Sequence, residues 1–72
     1  MDTLKIFGQR LRELRIERKL SQRELGELLG KTLRHYQKIE YGEVNVPTLT
    51  LCVLADFYGV SLDYLVGRTD QR

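Results

Sequence analysis

The side chains with the most chemistry per unit length lie between Gly30 and Gly42, in the stretch GKTLRHYQKIEYG. It carries the cations Lys31, Arg34 and Lys38, the tyrosines Tyr36 and Tyr41, Gln37, and the sole histidine of the chain, His35. These groups donate hydrogen bonds, carry positive charge or present a flat face, which suits recognition of a partner more than covalent chemistry. No Ser/His/Asp or paired-carboxylate arrangement accompanies them, so the chain does not read as an enzyme. A lone histidine without an acid cluster excludes a metal site of the usual donor set. The single cysteine, Cys52, excludes an internal disulfide and reads as a small buried hydrophobe. No cofactor and no small-molecule ligand is implied.

Seventy-two residues, 42% apolar and 31% charged, describe one small folded domain spanning 1–72. The longest apolar run, around Leu49–Ala55, is far shorter than a membrane span, and the N-terminus has no signal-peptide pattern. A free cysteine in a reducing compartment fits a cytoplasmic protein. The net charge of +2 hides an asymmetry. Residues 1–42 hold ten Lys/Arg against six Asp/Glu, whereas residues 43–72 hold two against four. A basic first part points to a polyanion as partner, although a charge run alone reads more simply as a solvated face.

The elements that position these groups are all helical. Leu4, Phe7, Leu11 and Leu14 predict an amphipathic helix over about 3–18. Its opposite face carries Lys5, Arg10, Arg12, Arg15 and Arg18. Ser21 and Glu24 form a capping box for a second helix over 22–29, which Gly30 ends. Thr32 caps a third helix over about 33–41, closed by Gly42. A fourth begins at Pro47 or Thr48 and ends at Gly59. Ser61 caps a fifth over 62–66, with Asp63 in its first turn, and residues 68–72 read as a frayed tail. The fold class is therefore all-α, five short helices without strands.

At about 100° per residue, Tyr36 and Ile39 fall on one side of the third helix. Gln37, Tyr41, Arg34 and Lys38 form a stripe on the other, with Leu33 and His35 at its edges. Tyr36 reads as core. The outer stripe matches the major groove of double-stranded DNA, where Arg and Lys donate to guanine, Gln bonds adenine, and an apolar group meets a thymine methyl. The helix N-terminus with Lys31 beside it, and Gln22 at the start of the second helix, suit phosphates.

The stretch LSQRELGELLGKTLRHYQKIEYG resembles the helix-turn-helix of the Cro and phage-repressor (Xre-type) family of DNA-binding transcriptional regulators. Gln22, Gly26 and Gly30 match the family's spacing, as does Ile39-Glu40 followed by Gly42, and LADFYGVSLDYLVGRTD is similar to the fourth and fifth helices of bacterial members. The resemblance covers about residues 4–70. It implies a compact five-helix domain of the lambda-repressor-like type, with the helix-turn-helix at 22–41 formed by helices two and three. Carried over by position, it implies base reading by Leu33, Arg34, Gln37 and Lys38. It puts Gln22 and Thr32 on phosphates. Lys31, Tyr41 and Asn45 are further candidates for the DNA backbone without a fixed role, Tyr41 also for reading, and His35 for either role. It implies an ion pair between Arg15 and Glu40. Position 26 must be small where helices two and three cross, and glycine there costs up to about 1 kcal/mol of helix propensity.

The implied function is sequence-specific DNA binding as a bacterial or phage regulator, a repressor acting on a pseudo-palindromic operator. Val53, Phe57, Leu62, Tyr64 and Val66 form a candidate apolar patch for a homodimer through helices four and five. One departure favours an alternative, a protein-interaction or antitoxin-like adaptor on the same fold. Where phage repressors carry basic residues after the third helix, this chain has Glu43, Val44, Asn45 and Val46.

Overall fold

A computed structural model describes residues 2–72. Its five helices are α1 (Thr3–Glu17), α2 (Gln22–Leu28), α3 (Leu33–Glu40), α4 (Thr48–Tyr58) and α5 (Leu62–Leu65), with no strand among the described residues. Side chains supply most of the starts. Asp2 accepts from the Lys5 amide at 3.2 Å, Thr32 from His35 at 3.1 Å and Ser61 from Tyr64 at 3.0 Å. At α2 the capping box is reciprocal: Ser21 Oγ accepts from the Glu24 amide, and Glu24 Oε1 from the Ser21 amide, both at 3.0 Å. Thr48 is the first residue of α4, and Pro47 is a cap without a side-chain hydrogen bond. Leu29, Tyr41 and Val66, expected inside helices, are instead the caps that follow them.

Every helix contributes to one core. Phe7, Leu11 and Leu14 of α1 meet Leu25 of α2, Tyr36 and Ile39 of α3, Leu54, Ala55 and Tyr58 of α4, and Tyr64 and Leu65 of α5. Val44 and Val46 of the loop pack against it, so the segment after α3 completes the core. Turn chemistry sets the α2–α3 angle. Gly30 adopts φ 67°, and the Lys31 amide reaches back to the Gly26 carbonyl at 2.8 Å.

Gly26 is tightly packed as expected: a Cβ there would lie 3.2 Å from the Lys31 carbonyl oxygen and 3.4 Å from that of Thr32, where the turn enters α3. A still closer approach is at Gly8, where a Cβ would lie 2.2 Å from the Glu40 carbonyl oxygen. That contact lets α1 and α3 touch backbone to backbone. Two expectations change. First, residues 68–72 fold back onto the body. Arg10 donates to the carbonyls of Tyr64 and Thr69 and pairs with Asp70, the Ser61 amide donates to the Arg72 carbonyl at 2.9 Å, and Arg72 pairs with Glu17. Second, Tyr64 is 6% exposed and belongs to the core, with Arg10 stacked 4.2 Å from its ring centroid. It is unavailable to a surface patch.

Candidate nucleic-acid interface

The site is built around one buried carboxylate. Glu40, 6% exposed, ends α3 under the last turns of α1. A carboxylate in such a place needs donors, because burying its charge unpaired costs far more than burying a neutral group. Arg15 Nε donates to Oε2 at 2.6 Å, and Tyr36 Oη donates to the same oxygen at 2.6 Å. Arg15 Nη2 and Gln22 Nε2 donate to Oε1, each at 3.3 Å. Arg15 Nη1 also reaches the Leu20 carbonyl at 2.9 Å, which ties the α1–α2 connection to the same centre.

The charge is felt by its neighbours. The hydrogen bond to Glu40 raises the Arg15 pKa above the usual arginine value, against the lowering effect of burial. Burial first, and the Glu40 hydrogen bond second, push the Tyr36 hydroxyl far above the usual tyrosine range. Burial and then Glu40 push Tyr58 up to about 12, and its buried hydroxyl has no hydrogen-bond partner among the described residues.

A relay runs outward from Glu40. A carboxylate only accepts, so the nitrogen of Gln22 must face it and the oxygen of Gln22 must face away. That oxygen accepts from Gln37 Nε2 at 3.1 Å. Gln22, a phosphate candidate by sequence, is therefore turned inward by Glu40's demand for donors. Gln37 is half-buried and tied to Gln22, not freely solvated.

The remaining α3 residues face out. Arg34, His35 and Lys38 are exposed, and none has a side-chain hydrogen bond or ion pair among the described residues. With Thr32 they line a shallow depression of about 180 Å³. Leu33 and Lys31 are half-buried at the entrance of the helix, and Tyr41 is exposed at its exit. Arg12, Arg15, Ser21, Gln22, Glu40 and Tyr41 line a second, larger groove of about 420 Å³ between α1 and the helix-turn-helix. Asn45 is exposed in the loop beyond.

Sequence reasoning missed two features. Arg12 lies beside the α3 end on this groove, and only its place on the polar face of α1 could have marked it. Leu49, 79% exposed, precedes Val53 and Phe57 at four-residue intervals along α4. That spacing places all three on one face, and it is visible in the sequence. Leu62 is also exposed and Val66 half-buried.

A helix-turn-helix family profile matches residues 11–65. Over 65 residues the chain is 38% identical to the HTH-type transcriptional regulator YobD of Bacillus subtilis (strain 168), covering 90% of this chain and 58% of that protein. It is 34% identical over 65 residues to the cryptic phage CTXphi transcriptional repressor RstR of Vibrio cholerae, covering 90% and 59%. The chain thus spans about three fifths of the length of these curated relatives. Among solved structures, the restriction-modification controller protein C.AhdI from Aeromonas hydrophila superposes with a TM-score of 0.74 at 37% identity, over 86% of this chain and 94% of that one. No helix among the described residues is long and apolar enough to cross a membrane. With sequence and fold in agreement, the chain belongs to the Xre-type helix-turn-helix family of DNA-binding transcriptional regulators, which are not enzymes.

Proposed function

We propose that the chain is a single DNA-binding domain that represses transcription in the cytoplasm by laying α3 in the major groove of a specific operator. The observation that carries this reading is the division of α3. Tyr36, Ile39 and Glu40 fix one side of the helix in the core, while Arg34, His35 and Lys38 stand exposed and unpaired on the other. Arg34, Gln37, Lys38 and Leu33 read bases. Lys31, Thr32, Tyr41, Asn45 and Arg12 contact the backbone, and His35 either. The name of RstR, a transcriptional repressor, supports the direction of regulation.

The operator is pseudo-palindromic and the chain acts as a homodimer through α4 and α5. Leu49, Val53, Phe57 and Leu62 supply the apolar face that a two-fold contact needs, and two α3 helices then address half-sites about 34 Å apart. Sedimentation at high micromolar concentration, with and without duplex, gives a dimer in at least one condition; monomer in both refutes the pairing.

A protein-interaction or antitoxin-like role is the second reading, favoured by one observation. Val44 and Val46 serve the core, and Glu43 is acidic, so the segment after α3 offers little grip on phosphates. Selection from a random duplex pool separates the two. DNA binding predicts an enriched sequence that weakens on raising salt; no enrichment supports the adaptor.

A further inference from the structure

We infer that Gln37 reads an adenine in the operator, and that Glu40 and Gln22 are positioning residues that restrict it to that base. The inference rests on the reading of α3 as the major-groove helix. A free glutamine amide offers one oxygen and two N–H groups and can turn either edge toward a base. Here the amide is not free. Glu40 accepts only, so it fixes the nitrogen of Gln22 inward at 3.3 Å; the Gln22 oxygen then fixes Gln37 Nε2 at 3.1 Å. Glu40 itself cannot turn, because Arg15 and Tyr36 hold its other oxygen at 2.6 Å.

One N–H of Gln37 is therefore committed, and what remains is an acceptor and a single donor. Adenine presents the complement, an N6 amino donor beside the N7 acceptor. Guanine presents two acceptors, O6 and N7, and matches the remaining edge poorly. The choice of base is thus set by a carboxylate that never meets the DNA. Gln22 and Glu40 act through Gln37, and Arg15 and Tyr36 hold Glu40 in place.

The test is selection of duplexes from a random library by the full chain, by Gln37→Ala and by Gln22→Met, which keeps the length of the side chain without its hydrogen bonds. Gln37→Ala identifies the base pair at stake by losing preference there alone. Gln22→Met is expected to keep the rest of the site, while the preference for adenine over guanine at that pair falls from about tenfold to within about twofold. A merely structural role for Gln22 would lower affinity for all sequences together and leave that preference intact, which overturns the proposal while the DNA reading stands. Loss of no preference in Gln37→Ala, or selection of guanine by the unaltered chain at the pair it identifies, also overturns it. No enriched sequence for the unaltered chain removes the underlying reading as well.

Discussion

The polar faces of α1 and α3 look alike in sequence and differ in what their cations do. On α1, Lys5 donates to the Tyr41 carbonyl at 2.7 Å, Arg10 to the chain end, Arg15 to Glu40 and Arg18 to the carbonyls of Phe57 and Tyr58 at 3.0 and 2.9 Å. On α3, Arg34 and Lys38 have no such partner among the described residues. These four cations of α1 lie across from helix ends, whose last carbonyls lack partners within their own helix and attract positive charge; Arg12, on the same helix, is exposed and has no partner among the described residues. Those of α3 face outward, away from the core. A basic face is therefore a binding surface only where its charges are uncommitted.

The largest expected effect breaks the comparison on the α1 side. Arg15→Ala leaves Glu40 buried with half its donors, and should cost about 3–5 kcal/mol in urea denaturation. That is most of the stability of a small domain, so partial unfolding at room temperature is the expected outcome. A loss under about 1 kcal/mol would mean that Tyr36 and Gln22 satisfy the carboxylate alone. Arg18→Ala is milder. It removes two hydrogen bonds to the end of α4 and the stacking near Phe57 and Tyr58, and should lower stability by about 1–2 kcal/mol without changing base preference.

The smallest effect comes from the exposed Glu17–Arg72 pair. The hydrogen bond from Arg72 lowers the Glu17 pKa below the usual carboxylate value. A depressed pKa in the fold gives stability that is present above the unfolded value and lost as pH falls through the folded one. Acid titration of Glu17→Gln should therefore converge with the unaltered chain at low pH and fall slightly below it near neutrality. Equal stability at every pH would show that the chain end is not held by this pair.

Local chemistry explains what was legible in the sequence. Ser21, Glu24, Thr32, Ser61 and the glycines Gly30, Gly42, Gly59 and Gly67 mark helix ends through interactions within a few residues, so the five elements can be read almost to the residue. The outward stripe of α3 follows from its period. What lay beyond reach depends on contacts distant in the chain. Gly8 has the same helix-breaking signature as any mid-helix glycine, and only the fold shows that the Glu40 carbonyl fills its place. The tail lacks a periodic pattern, yet Arg10 and Glu17 of α1 hold it. Tyr64 carries a hydroxyl compatible with either core or rim, and the packing of α5 on α1 and α4 decides for the core. The bridge that Gln22 makes between Glu40 and Gln37 was beyond reach because the demand of a buried carboxylate for donors is invisible until Glu40 is located.

The most direct test of the division between committed and free cations is a paired measurement on the double variant Arg34→Ala with Lys38→Ala: its Kd for the selected duplex and its urea midpoint. Both side chains are exposed and have no partner among the described residues, so the stability read from the midpoint should stay within about 0.5 kcal/mol of the unaltered chain. Affinity should fall by about 1–3 kcal/mol per contact, at least about tenfold together. An unchanged Kd would contradict the account, and so would a loss of affinity that simply follows a loss of folded protein.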